Sequence, residues 1–307
     1  MKQLLTLLSI VIVQYSFGQN NNSYKRDSIK IEHGYLHYYT KGKGKPVVLM
    51  QGNTGASSYY MRAIADSLDN YQTILVDFQG TGRSQYRKED DSWIGIDQIV
   101  GDYETVRKHL KIDQWTIIGH SYGGQHALYY AVKYPTKVNK IISIGGVATD
   151  NLLMKYFGDN NNAYMCDADW VQMKNIMADE KLSMSEKTKQ QMAIYMKSAV
   201  FNKEKIAKFI DYFPADEWNI VLNPTYQNIW RKKSNFFTFD FSKEAYDLKT
   251  PVRIIHGRQD PVGEGVPVLL NERMKNSRLT FIEKCGHFPW IDQPEEFFKI
   301  VKESLTD

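Results

Sequence analysis

A chain of 307 residues with 42% hydrophobic content carries enough apolar material for a large core, which excludes fibrous and disordered architectures. Its formal charge of +4 comes from 39 basic and 35 acidic residues, and the densest basic cluster, Lys41, Lys43 and Lys45, is broken by glycines. That is the pattern of a solvated loop, so no nucleic-acid partner is expected. No zinc-spaced Cys/His set or HExxH helix occurs in the sequence, and no metal is expected.

In chain order, Lys2, the apolar run Leu4 to Val13, and the small residues Ser16 and Gly18 have the form of a secretory signal, so residues 1–18 are expected to be cleaved on export to the periplasm or medium. The competing reading, an uncleaved anchor, needs about 20 apolar residues and the run is much shorter; no stable membrane insertion is expected once the signal is gone. An oxidising compartment would allow Cys166 and Cys285 to pair, but two cysteines so far apart do not separate a disulfide from two buried free thiols.

The stretch SIKIEHGYLHYYTKGKGKPVVLMQGN reads as strand, turn, strand, lysine-glycine loop and a buried strand Val47 to Met50, which predicts an antiparallel beginning. Alternation follows. Ser57 to Leu68 is helical in pattern, Thr73 to Asp77 a strand, Ile96 to Leu110 a helix, Trp115 to Ile118 a strand, Ser121 to Tyr134 a helix stopped by Pro135, and Ile141 to Ile144 a strand. Such alternation predicts a mostly parallel sheet with helices on its faces. From Ala148 to Lys249 the pattern carries amphipathic helices and the polar loop Asp159 to Asn162, with no buried strand. It then resumes with the strand Pro251 to Gly257, a helix around Pro267 to Met274, the strand Leu279 to Ile282 and a helix from Pro294 to Leu305. The expected organisation is one α/β core, 19–147 and 250–307, interrupted by a helical insertion, 148–249.

Chemistry enters at IIGHSYGGQHALYY, where Ser121 lies between Gly119 and Gly123 at the seam of a strand and a helix. Glycine relieves the crowding of a sharp strand-to-helix turn, and such a turn lifts a serine hydroxyl to a helix N-terminus. A serine needs a base, and the base an orienting carboxylate. Asp260 follows the strand ending near His256, and His287 follows the strand ending near Ile282. The order Ser121, Asp260, His287 is that of a nucleophile-elbow enzyme, and each residue falls past the C-terminal end of its strand, where open α/β sheets place their sites. His120 points away from the elbow and His126 is a packing residue; His33, His37, His109 and His256 are read as structural.

Taken together, QGNTG, DFQGTGRS at Asp77 to Ser84, GHSYGG at Gly119 to Gly124, HGRQDPV and GHFPW resemble the α/β-hydrolase fold superfamily over nearly the whole mature chain, and most closely its proline-iminopeptidase-like branch. The resemblance implies a helical cap over the site in the long insertion. It also implies an oxyanion hole of backbone N–H groups, which carries over to Asn53 and Tyr122. One departure stands out: where that branch has His-Gly-Gly-Pro-Gly, this chain has Gln51-Gly52-Asn53-Thr54-Gly55. Backbone donors survive side-chain changes, so the oxyanion expectation stands while the assignment to one branch weakens.

The expected reaction is acyl transfer from a small ester, amide or short peptide through a covalent intermediate, with no cofactor. Acids in CDADW (Cys166 to Trp170) and DYFPADEW (Asp211 to Trp218) suit either a pocket that receives a substrate amine, as in aminopeptidases, or a solvated helix face, the preferred reading. A non-catalytic ligand-binding protein on the same fold is the alternative from a different class; an intact Ser, His and Asp speaks against it.

Overall fold

Eight strands form one sheet: β1 (Lys25–Ile31), β2 (Gly34–Lys41), β3 (Lys45–Met50), β4 (Tyr71–Asp77), β5 (Trp115–His120), β6 (Val138–Ile144), β7 (Val252–Gly257) and β8 (Ser277–Ile282). Their spatial order is β1-β2-β4-β3-β5-β6-β7-β8. The computed structural model describes residues 24–32, 34–52, 57–84, 95–211 and 238–307. The expected signal segment, His33, Asn53 and residues 212–218 of DYFPADEW lie outside them.

β1 pairs antiparallel with β2, and β2 antiparallel with β4; from β4 onward every pairing is parallel. The antiparallel beginning therefore holds for two strands and not three. β3 skips past β2's side of the sheet to lie between β4 and β5, and the physical reason is in its sequence. Val47 to Met50 are all fully buried, so this run needs cover on both faces and belongs in the parallel interior. β1, with exposed positions along its length, tolerates the edge.

Strand alternation divides the core into two layers. Val48 and Met50 of β3 join Ile74, Val76 and Ile117 against helices α2 (Ile96–His109) and α3 (Tyr122–Lys133). Val47 and Leu49 join Leu75 and Ile118 against the short helix α1 (Arg62–Asp66) and the C-terminal helix α11 (Pro294–Thr306). α2 forms because Ile96, Ile99, Val100, Tyr103 and Val106 recur at helical spacing and are all buried.

Between β6 and β7 the described chain holds α4 (Phe157–Asn162), α5 (Asp167–Ala178), α6 (Met184–Ala199), α7 (Ile206–Asp211) and α8 (Ser242–Tyr246). α6 starts at a capping box, in which the Ser183 hydroxyl accepts the Glu186 N–H at 3.3 Å and the Glu186 carboxylate accepts the Ser183 N–H at 2.9 Å. The expected polar loop Asp159 to Asn162 is instead part of α4. A tertiary contact overrides weak propensity there, the Asn160 amide donating to the Pro261 carbonyl (3.0 Å), and within the helix the Asn161 amide donates back to the Phe157 carbonyl (2.8 Å). The segment leaves and re-enters the sheet through a single neck. Asp150 and Asp240 form an isolated bridge, the Phe241 N–H donates to the Thr149 carbonyl (3.1 Å), and Arg273 pairs with Asp150 from α9 (Gly265–Arg273).

Candidate active site

The parallel register sets the site. Met50 of β3 pairs with Gly119 of β5, and β6, β7 and β8 follow in order, so the segments leaving these five strands emerge side by side at one edge. Gly119 and Gly123 are required there by close approach. A Cβ on Gly119 would lie 2.2 Å from the Gly123 carbonyl oxygen, and one on Gly123 would lie 1.9 Å from the Met50 carbonyl oxygen. Bare backbone lets α3 sit directly on β3 and β5.

Between them, Ser121 takes φ 58° and ψ −126°, a conformation costing about 1–3 kcal/mol for a residue with a Cβ. It is held by its own N–H, which donates to the Ile144 carbonyl (2.9 Å), and by its carbonyl, which accepts the Gly124 and Val147 N–H groups at 2.9 and 3.1 Å. α3 begins only at Tyr122, so Ser121 caps the helix instead of opening it. The Tyr122 backbone nitrogen lies 2.6 Å from where a Gly52 Cβ would stand, which brings the loop after β3 against the helix N-terminus.

Asp260, past the end of β7, and His287, past the end of β8, are in contact. The two carboxylate oxygens stand 2.9 and 3.0 Å from His287 Nδ1. Burial pushes the Asp260 carboxyl upward, but the attraction and hydrogen bond of His287, with the Val262 N–H, outweigh it, and Asp260 lies below its ordinary value. A carboxylate held ionised at Nδ1 fixes the imidazole with that nitrogen protonated, which leaves Nε2 as the ring's accepting nitrogen. Ser121 is tied to the same place through Gly145. This glycine directly follows Ile144, the partner of Ser121, and its ideal Cβ would stand 2.8 Å from Asp260 Oδ2 and 3.1 Å from His287 Nδ1.

Three further residues support His287, and nothing local in the sequence marks them. Its N–H donates to the Ala199 carbonyl at the end of α6 (2.7 Å). Its carbonyl lies 2.9 Å from His120 Nε2. Asp292 in α10 (Pro289–Asp292) accepts the N–H of Gly286, next to His287, at 2.8 Å, and those of Phe201 and Asn202 at 2.9 Å each. The ring of His120, expected to point away from the elbow, packs against that of His287 with centroids 4.6 Å apart, and His126 packs edge-on to Phe78 in the core. His256 is fully buried with Nε2 3.8 Å from Asp260, and burial holds it below its ordinary value.

Gln51 answers for the missing histidine of the loop. Its side chain turns inward and donates to Thr81 Oγ1 (2.8 Å) in the turn after β4, while its N–H donates to the Tyr103 hydroxyl (3.3 Å). It anchors the loop. Both cysteines are free: Cys285 is buried, whereas Cys166 is exposed at the N-cap of α5, its N–H bonded to Asp169. Asp169 in turn pairs with Lys197, and Trp170 is exposed.

A mostly parallel sheet carrying a strained serine after its fifth strand and a carboxylate–histidine pair after its last two is the architecture of a nucleophile-elbow protein. The chain belongs to the alpha/beta hydrolase fold family, whose model matches residues 45–294. It is 23% identical over 270 residues to a proline iminopeptidase of Heyndrickxia coagulans, covering 86% of this chain and 92% of that one. It is 24% identical over 313 residues to a cis-3-alkyl-4-alkyloxetan-2-one decarboxylase of Shewanella oneidensis, covering 92% and 89%. Among solved structures, a proline iminopeptidase-related protein of Thermus thermophilus superimposes with a TM-score of 0.73 at 16% identity, covering 92% of this chain and 97% of that one.

Proposed function

We propose that this protein hydrolyses an ester or amide bond in a small molecule or short peptide through an acyl-enzyme. The observation that carries the reading is the buried Asp260–His287 pair, 2.9 Å apart, tied through Gly145 to a serine at φ 58°. In this mechanism His287 Nε2 takes the Ser121 proton as Oγ attacks the carbonyl carbon. The oxyanion is held by the Tyr122 N–H and by that of Asn53, and losing one such donor costs roughly 2.7–4 kcal/mol of barrier. The imidazolium returns its proton to the leaving group as the tetrahedral intermediate collapses. Water, deprotonated by the same imidazole, then attacks the acyl carbon, and Ser121 leaves with its proton restored.

A fluorophosphonate probe tests this without knowledge of the substrate. The wild type is expected to label and Ser121→Ala to remain unlabelled; labelling that persists in the variant removes Ser121 from its role. The proline iminopeptidase relatives favour one narrower reading, release of an N-terminal residue from a short peptide beneath a cap formed by residues 148–249. Prolyl-arylamide and short acyl-ester turnover, measured side by side, decide it, and absence of arylamide turnover retires the peptidase. We also infer export with loss of residues 1–18. N-terminal sequencing of the protein recovered outside the cytoplasm is expected to begin at Gln19, and an intact start at Met1 refutes cleavage.

A further inference from the structure

We propose that His120 is a positioning residue for the reaction: with Tyr60 behind it, it fixes the backbone of His287 and the loop at Gly52 in one directed hydrogen-bond chain. The proposal rests on the serine-hydrolase reading above.

The direction of each bond follows from what each atom can do. The His287 carbonyl, 2.9 Å from His120 Nε2, can only accept, so Nε2 carries a proton. Burial, with some repulsion from His287, pushes His120 down to about 3, so the ring is neutral at working pH and has no second proton. Nδ1 is therefore an acceptor, and the Tyr60 hydroxyl 2.9 Å away donates to it. The Tyr60 oxygen accepts the Gly52 N–H at 3.2 Å. Three segments far apart in sequence are thus joined: the loop after β3, the residue before the nucleophile, and the residue bearing the base.

Packing holds the chain in place. The His120 ring is 2% exposed and is surrounded by His287, Trp290, Phe288 and Tyr60, with centroids at 4.6, 4.8, 5.1 and 5.6 Å. With its N–H on Ala199 and its carbonyl on His120, the His287 backbone is held on both sides of the Cα that carries the imidazole. A ring that must stay uncharged 4.6 Å from His287 also avoids opposing the imidazolium that forms during the reaction.

The test is the second-order rate of fluorophosphonate labelling across pH, with thermal unfolding measured for every variant. In His120→Asn the shorter side chain retreats from the His287 carbonyl, and labelling is expected to slow by about 10–100-fold, as misplacement of a catalytic group does. His120→Gln places an amide nitrogen where Nε2 stood and is expected to recover most of that loss. A purely structural role would not separate Asn from Gln at equal melting temperature. Tyr60→Phe keeps the ring packing, removes the hydroxyl, and is expected to slow labelling by about fivefold, one net hydrogen bond; it decides the matter should His120→Asn fail to fold. Wild-type rates in both His120→Asn and Tyr60→Phe, with the wild type labelled at Ser121, overturn the proposal and leave the hydrolase reading intact. An unlabelled wild type sinks both.

Discussion

Gly145 is the residue on which the most geometry rests for its size. It takes φ +51°, and a Cβ built on it would stand 2.8 Å from Asp260 Oδ2, 3.1 Å from His287 Nδ1 and 3.4 Å from His287 Cε1. One methyl group would therefore intrude on the carboxylate–imidazole contact from the side of the nucleophile. Gly145→Ala is expected to fold with lowered stability and to lose about 100-fold in labelling rate; the same rate as wild type would show that the pair can move aside without consequence. Sequence pattern marks Gly145 only as the place where alternation stops. Ser121, Asp260 and His287 stand out in the sequence because each bears a reactive side chain and follows a strand, and the structure brings the last two into contact. Gly145, His120 and Asp292 act through contacts with residues more distant along the chain or through backbone atoms, and no local pattern encodes those.

Elements were legible to the extent that their burial is periodic. α2 and α3 emerge within a residue or two of the expected bounds, as do β4, β5, β7 and β8, because their apolar positions repeat at helical spacing or run unbroken, whereas β6 starts three residues early at Val138, where Asn139 and Lys140 interrupt the apolar run. The neighbour of β2 did not emerge, since strand order depends on crossovers and not on composition. Nor did the coupling between α6 and the histidine loop. There the carboxylate of Asp292 gathers three backbone N–H groups, two from the residues after α6 and one from Gly286, while Lys205 donates to the Asp292 carbonyl at 2.8 Å. Met196, Ala199, Val200 and Ile206 pack with Phe288 and Ile291 over the same junction. The end of α6 and the His287 loop are thereby packed and hydrogen-bonded as one junction. Asp292→Ala leaves the buried Gly286 N–H and the part-buried N–H groups of Phe201 and Asn202 without their acceptor and is expected to cost about 1–3 kcal/mol in urea unfolding. A slower fluorophosphonate reaction should accompany it. A loss below about 0.5 kcal/mol, the scale of an inert surface change, with unchanged labelling, would show that the junction does not depend on this carboxylate.

The whole molecule carries opposed titrations in its interior, and their signs decide how it meets acid. His126 and His120 are buried and pushed down by that burial to about 3. Between there and their ordinary value near 6.5 the unfolded chain binds more protons than the folded one, so their contribution to stability falls as pH drops. Asp102 works the other way. Burial raises its carboxyl to about 7 despite hydrogen bonds from the Gln79 N–H (2.7 Å), the Gln79 amide (2.8 Å) and Gln98. Between its ordinary value and about 7 the folded state therefore binds the extra proton, and its contribution grows as pH drops. These contributions oppose one another in the wild type, and single substitutions separate them. Each group changes stability by up to about 1.4 kcal/mol per pH unit inside its window. His126→Phe is therefore expected to gain about 2 kcal/mol relative to wild type on going from about pH 6.5 to about pH 5, read from urea midpoints. Asp102→Asn should lose stability relative to wild type over the same interval. Parallel pH profiles for wild type and both variants would mean that these buried groups titrate in the folded protein as they do in water.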